Sequence, residues 1–213
     1  MSKIIYTSPL SDPGDIRNFV VEGASSTDFG DGCMKLSGGP GSDALLWVPK
    51  FFPADVKIEW EFRPAGSGSF GELFFAARPL VKGADMFGSD VATRDGIYSR
   101  YHSGDISAFH VSYYRRSTPE ERSFHTCELR KSCGYCLVAE GADPIPETSG
   151  EVWYRMCVVK RKSHVSFFIN DLKILEYDDD GRSFGDQLTG GFVGIRQQAD
   201  TQAFYRNLKV TWI

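Results

Sequence analysis

Apolar and polar positions alternate in short runs along most of this chain. Val56, Ile58, Trp60 and Phe62 fall on one side of a period-2 segment, with Glu59, Glu61 and Arg63 on the other. Leu73 and Phe75 oppose Glu72, Phe74 and Arg78, and Val193 and Ile195 oppose Arg196 and Gln198. Phe109, Val111 and Tyr113 oppose His110, Ser112, Tyr114 and Arg116. The pattern predicts strands near Leu45–Val48, Val56–Phe62, Leu73–Ala77, Phe109–Tyr114, Cys136–Ala139, Trp153–Lys160, Val165–Ile169, Lys173–Tyr177, Phe192–Arg196 and Phe204–Trp212. Turn signals separate them: SGGPGS at 37–42, PAGSGSFG at 64–71, SGEV at 149–152, KRKS at 160–163, IND at 169–171 and LTGG at 188–191. No amphipathic helix longer than two turns is evident. Roughly ten strands at this spacing predict an all-β sandwich or jelly roll of two antiparallel sheets. The 213 residues are expected to form a single domain, 1–213.

Composition adds exclusions. A net charge of −4, spread along the chain, gives no basic face for nucleic acid. No apolar run approaches the length that spans a membrane. The N-terminal MSKIIYTSPLSDPGD lacks the apolar core of a signal peptide, so a soluble cytoplasmic protein is expected. A homodimer is left open.

The 5 cysteines are an odd number, low for a disulfide scaffold, and are expected to be reduced. Cys133-Gly134-Tyr135-Cys136 has CxxC spacing, but the strand and turn expected after it do not supply the helix N-terminus that activates a thiol. No second ligand pair completes a zinc site.

The stretch YHSGDISAFHVSYYRR, 101–116, concentrates chemistry: His102 and His110, Tyr101, Tyr113 and Tyr114, Arg115 and Arg116. The face carrying His110, Ser112, Tyr114 and Arg116 reads as the floor of a polar cleft. Two segments flank it. Val81–Ser107 carries Arg94, Asp95, Tyr98, Arg100, Tyr101, His102 and Asp105; Ser117–Cys127 carries Glu120, Glu121, Arg122 and His125. Segments of this length in a compact domain are usually functional or disordered, and these are rich in aromatics.

The runs YHSGDISAFHVSYYRR, ERSFHTCELRKS and LVAEGADPIP, with FFAARP and the tail GFVGIRQQADTQAFYRNLKV, closely resemble the YesU-like family of bacterial proteins. The resemblance covers most of the chain. It implies a concanavalin A-like (galectin-like) jelly roll and an association with pectin and rhamnogalacturonan use, without attaching a reaction.

Two functions fit. In the first, the protein acts on an acidic plant or algal oligosaccharide. In β-elimination from a uronide, His110 and Tyr114 would share the base and acid roles, and Arg116 or Arg196 would neutralise the substrate carboxylate. His102, Tyr101, Arg196, Gln198, His125 and Arg78 would bind substrate around them. A hydrolase variant needs two carboxylates about 5–9.5 Å apart, a spacing that Glu59 and Glu61 could meet, although a solvated charged face is the simpler reading. In the second, the same cleft binds a carbohydrate, galectin-like, without turnover. His164 reads as a solvated turn residue. Metal is the weakest reading. His102, Asp105 and His110 match no standard ligand spacing, and Asp178, Asp179 and Asp180 read as a turn cap before a calcium loop. No cofactor is expected.

Overall fold

The computed structural model describes residues 2–147 and 150–213; the turn expected at 149–152 begins at Ser149, outside them. The strands, in chain order, are β1 (Lys3–Ser8), β2 (Val20–Gly23), β3 (Ser25–Gly30), β4 (Cys33–Gly38), β5 (Ala44–Trp47), β6 (Val56–Pro64), β7 (Gly71–Pro79), β8 (Ile106–Tyr113), β9 (Thr126–Ser132), β10 (Cys136–Ala142), β11 (Tyr154–Arg161), β12 (His164–Ile169), β13 (Leu172–Asp178), β14 (Phe192–Gln197) and β15 (Gln202–Trp212). Two short helices, α1 (Ser99–His102) and α2 (Pro119–Ser123), lie in the two flanking segments. The back sheet runs β13-β12-β11-β6-β15-β4-β3, with β1 also on β15, and the front sheet runs β10-β9-β8-β7-β14-β5-β2. The strand pairings are antiparallel.

The ten expected strands are all present. β6 alternates buried and half-buried residues along its length, as its sequence predicts. Val56, Ile58, Trp60 and Phe62 enter the core between the sheets and meet Leu73, Phe75, Phe109 and Val111 of the front sheet. Each such side chain contributes about 1.5–3 kcal/mol through apolar area removed from water. Trp60 Nε1 donates to Tyr113 Oη at 2.9 Å, so both rings bury without an orphaned polar atom.

β7 and β8 are buried on both faces. The cause is residues 80–105, which fold back over the outer face of the front sheet. Met86, Val91 and Tyr101 build a second apolar cluster there with Leu45, Trp47, Phe74 and Ala108. Arg94 fastens the cover through Glu22 at 2.5 Å and the Met86 carbonyl at 3.0 Å. Gly96 (φ +81) lets the chain turn close to β5; a Cβ there would lie 2.4 Å from the Asp43 carbonyl oxygen.

The face assignment along β8 holds for Phe109, Val111 and Tyr113 on one side and His110 and Ser112 on the other. It fails at Tyr114. Tyr114 has φ +46, just past the strand end, and this left-handed residue breaks the alternation. Its side chain joins the core, and its backbone N–H donates to Asp143 Oδ2 at 2.9 Å.

Candidate functional site

Beside the outer apolar cluster, the same face of the front sheet carries a buried polar network. β7, β8 and β14 lie side by side and project Glu72, His110 and Arg196 to the same side. Arg196 binds Glu72, and also Asp43 Oδ2 through Nε at 2.9 Å and a terminal nitrogen at 2.7 Å. Tyr98, arriving with the cover, completes the group. Its hydroxyl donates to Glu72 Oε1 at 3.3 Å and lies 3.1 Å from His110 Nε2, while its ring lies under the Arg196 guanidinium at 3.8 Å.

Burial governs the electrostatics. His110 is 1% exposed. Burial, reinforced by Arg196, Arg130 and His102, pushes its pKa well below the ordinary histidine value, so the ring is neutral. Burial also raises the Glu72 carboxyl, with Arg196 opposing. Burial and the Glu72 charge raise the Tyr98 phenol well above its ordinary value; Arg196 opposes this without reversing it. The ring of His110 stacks on Phe74 at 4.8 Å, and its Nδ1 has no hydrogen-bond partner among the described residues.

A more accessible rim borders this network on the β9 side. Arg130 lies over the Tyr135 ring at 4.0 Å, and Tyr135 packs against His102 at 4.4 Å and Tyr98 at 5.7 Å. Glu128 holds Arg130 at 2.7 Å and Arg115 on its other side. Gln198 accepts from Ser117 Oγ at 3.0 Å. A hydroxyl-rich ligand would meet donors, acceptors and ring faces here.

Of the residues singled out in the sequence, His110, Arg196 and His102 come together. Tyr114 and Arg116 do not join them. Arg116 is buried against Asp143 Oδ2 at 3.1 Å, and its guanidinium lies over the Tyr114 ring at 4.9 Å. Tyr101 is also structural, its hydroxyl donating to the Arg94 carbonyl and its ring sitting in the outer apolar cluster. His125 is exposed, and its carbonyl accepts from the Asp143 N–H at 2.8 Å. Arg78 follows a bulge at Ala76 (φ +51) and turns to Thr189 Oγ1 at 3.0 Å and the Gln187 carbonyl. Tyr98, Glu72 and Asp43 were the parts not assigned to a site from sequence. Arg130 and Glu128 were also missed, although their alternation with Cys127 and Leu129 marks them as outward-facing.

Glu59 and Glu61 lie on the outer face of the back sheet. Burial favours protonation, but hydrogen bonds from Lys209 and Lys57 outweigh it and hold the Glu59 carboxyl below its ordinary value. Asn207 and Arg206 do the same for Glu61. Paired with Lys57, Lys209 and Arg206, the two carboxylates fit the solvated charged face. Asp179 pairs with Lys131 at 2.7 Å, and Asp180 accepts the N–H groups of Arg182 and Ser183, which is turn capping. His164 lies at the start of β12, bound to Asp178 at 2.9 Å.

No helix among the described residues is long and apolar enough to cross a membrane. The chain is 41% identical over 208 residues to the uncharacterized protein YesU of Bacillus subtilis (strain 168), covering 97% of this chain and 94% of YesU. A solved Bacillus subtilis protein of unknown function with a galectin-like fold superposes with a TM-score of 0.94 at 40% identity, covering 100% of this chain and 98% of that one. The κ-carrageenase of Pseudoalteromonas carrageenovora, solved with an oligotetrasaccharide of κ-carrageenan, shares the fold with a TM-score of 0.61 at 7% identity, covering 100% of this chain and 95% of that one. Residues 3–210 match the family described as a domain of unknown function, DUF1961, and with this match and its identity to YesU the chain belongs to that family.

Proposed function

We propose that this protein binds an oligosaccharide on the outer face of its front sheet. The observation that carries this reading is the rim of Arg130, Tyr135, His102 and Glu128, set against a rigid, ion-paired floor. Sugars combine hydroxyls with C–H faces, and this rim combines charged hydrogen-bonding groups with aromatic rings. The floor residues hold one another in place, so little conformational freedom is lost when a ligand docks. The κ-carrageenase seen with its oligosaccharide is a fold neighbour in which such a ligand is accommodated. Arg196 and Arg130, like Arg115, already face carboxylates, which gives a uronate no preferential partner on this face.

Turnover is a second reading, supported by the contact between the Tyr98 hydroxyl and His110. In a lyase His110 would be the neutral base, as its depressed pKa allows, and Tyr98 rather than Tyr114 would be the acid.

The test is a glycan array with neutral and acidic plant oligosaccharides, followed by calorimetry on the hits. Arg130→Ala and Tyr135→Ala should each weaken binding about tenfold, a loss of about 1.4 kcal/mol. Absence of binding to every glycan would sink the proposal. Ultraviolet-absorbing unsaturated products from an acidic glycan would move the assignment to the lyase.

A further inference from the structure

A groove of about 880 Å³ opens beside the rim, between residues 78–86, the loop 183–186 and the β9–β10 turn. We propose that this groove is the principal oligosaccharide subsite, and that it selects a neutral sugar chain; the inference rests on the carbohydrate reading above and adds its location and charge class.

Three observations carry it. The first is a polar group without a partner. Ser132 is 1% exposed, lines the groove, and its hydroxyl has no hydrogen-bond partner among the described residues. A buried hydroxyl left unpaired is costly, and a ligand hydroxyl reaching it would remove that cost. Ser132 is on β9, paired with Ala108 of β8, so its position is fixed by the sheet.

The second is a pair of exposed rings. Phe51 is 57% exposed and Phe184 is 40% exposed, both on the groove. Phe51 is not a loose surface ring. It packs edge-on against Phe192 at 5.7 Å, Phe192 against Phe87 at 5.0 Å, and Phe87 against Trp47 at 6.3 Å, so the chain of rings runs into the outer apolar cluster. A ring held this way offers a stacking surface for a pyranose at small entropic cost.

The third is charge balance. Lys131 is neutralised by Asp179 at 2.7 Å. The remaining lining charges are Arg78 and Lys82 against Asp85 and Asp186. With Lys131 paired, the lining carries no net positive charge to favour a carboxylate or sulfate, and Arg78, Lys82 and the two aspartates can serve sugar hydroxyls. Cys133 and Cys136 line the groove, and Tyr135 between them packs on the rim, so a chain longer than the groove would continue over Tyr135.

The experiment is calorimetry of the full-length protein with neutral hexasaccharides (cello-, xylo-, manno- and galactohexaose) and with trigalacturonate. Phe184→Ala and Ser132→Ala should each weaken the best neutral ligand by about tenfold, with the melting temperature of Phe184→Ala unchanged. Trigalacturonate should bind more weakly than that neutral ligand. If Tyr135→Ala weakens binding while both groove variants bind as wild type, the groove assignment is wrong and the rim alone is the site. Tighter binding of trigalacturonate overturns the charge assignment. If no sugar binds, the carbohydrate reading fails and this inference fails with it.

Discussion

The Tyr98 hydroxyl sits 3.1 Å from His110 Nε2, which joins the segment covering the front sheet to β8, an interior strand of that sheet. The contact links the cover to the polar network, and it makes His110 part of the fold as well as of the candidate site. A histidine with its ring stacked on Phe74 and 1% exposed cannot be removed without loss. His110→Ala is therefore expected to destabilise the protein by about 2–4 kcal/mol, through the cavity left and the partner groups unpaired. Urea denaturation measures this. A stability change near zero would show that the cover does not depend on the contact.

The same histidine gives the molecule a pH dependence with a defined sign. Burial lowers the folded-state pKa of His110 below the unfolded value of about 6.5. The unfolded chain therefore binds more protons in the interval between the two values, and stability rises with pH there. The contribution is complete above about pH 6.5 and is lost as pH falls toward the folded-state pKa. His102, lowered mainly by its partial burial, acts in the same direction. The raised pKa of Glu72 acts in the opposite direction, contributing stability at low pH that is lost as pH rises through its folded-state value. Thermal melts between pH 5 and 8 should show a steeper loss on acidification for wild type than for His110→Phe, which keeps the stacking and Glu72 but cannot protonate. Parallel curves would contradict the assignment.

Much of the fold was legible because period-2 burial is written directly into strands such as β6 and β11. The strands without that imprint were missed. β3 is polar with no buried position, and β9 has only Thr126 and Cys127 inside the expected polar loop Ser117–Cys127 and no strand expected beyond it, although Cys127 and Leu129 point inward. The site was legible only where a strand carried it. His110 and Arg196 follow from parity, but Tyr98 arrives on an irregular segment whose path depends on packing against Trp47 and Phe74. Tyr114 and Arg116 were misplaced because the parity argument assumes that the strand continues. The left-handed Tyr114 ends it, and Asp143, distant in sequence, captures the Tyr114 N–H and the Arg116 guanidinium.

That capture makes Arg116 a stability residue. Its guanidinium is fully buried and pairs with Asp143, which also accepts the N–H groups of Tyr114 and Ile145. Arg116→Ala would leave a buried carboxylate without its cation and is expected to cost about 3–5 kcal/mol. Arg116→Lys keeps the charge but loses the planar fork and its position over the Tyr114 ring, and should fall between. Neither variant should alter sugar affinity, measured at a temperature where both remain folded. A selective loss of affinity for acidic ligands in Arg116→Lys would return Arg116 to the binding site.

The cysteines give a chemical readout of the same architecture. All five are free, and they differ in environment. Cys33 and Cys127 are buried, and burial, aided by Asp143, raises the Cys127 thiol well above its ordinary value. Burial likewise pushes the Cys157 thiol up to about 11. Cys133 is exposed in the β9–β10 turn, and Cys136 is half-buried beside it. Thiolate is the reactive form, so reaction with a disulfide reagent at neutral pH is expected first at Cys133, then at Cys136, more slowly at the half-buried Cys157 with its raised thiol, and at Cys33 and Cys127 only on unfolding. Denatured, unreduced protein should release the full five equivalents. Because Tyr135 sits between the reactive pair and packs on His102, labelling Cys133 with a bulky reagent should displace Tyr135 and weaken sugar binding. Equal labelling rates at Cys133 and Cys127 would contradict the burial on which this order depends, and unchanged sugar affinity after labelling would separate the turn from the binding face.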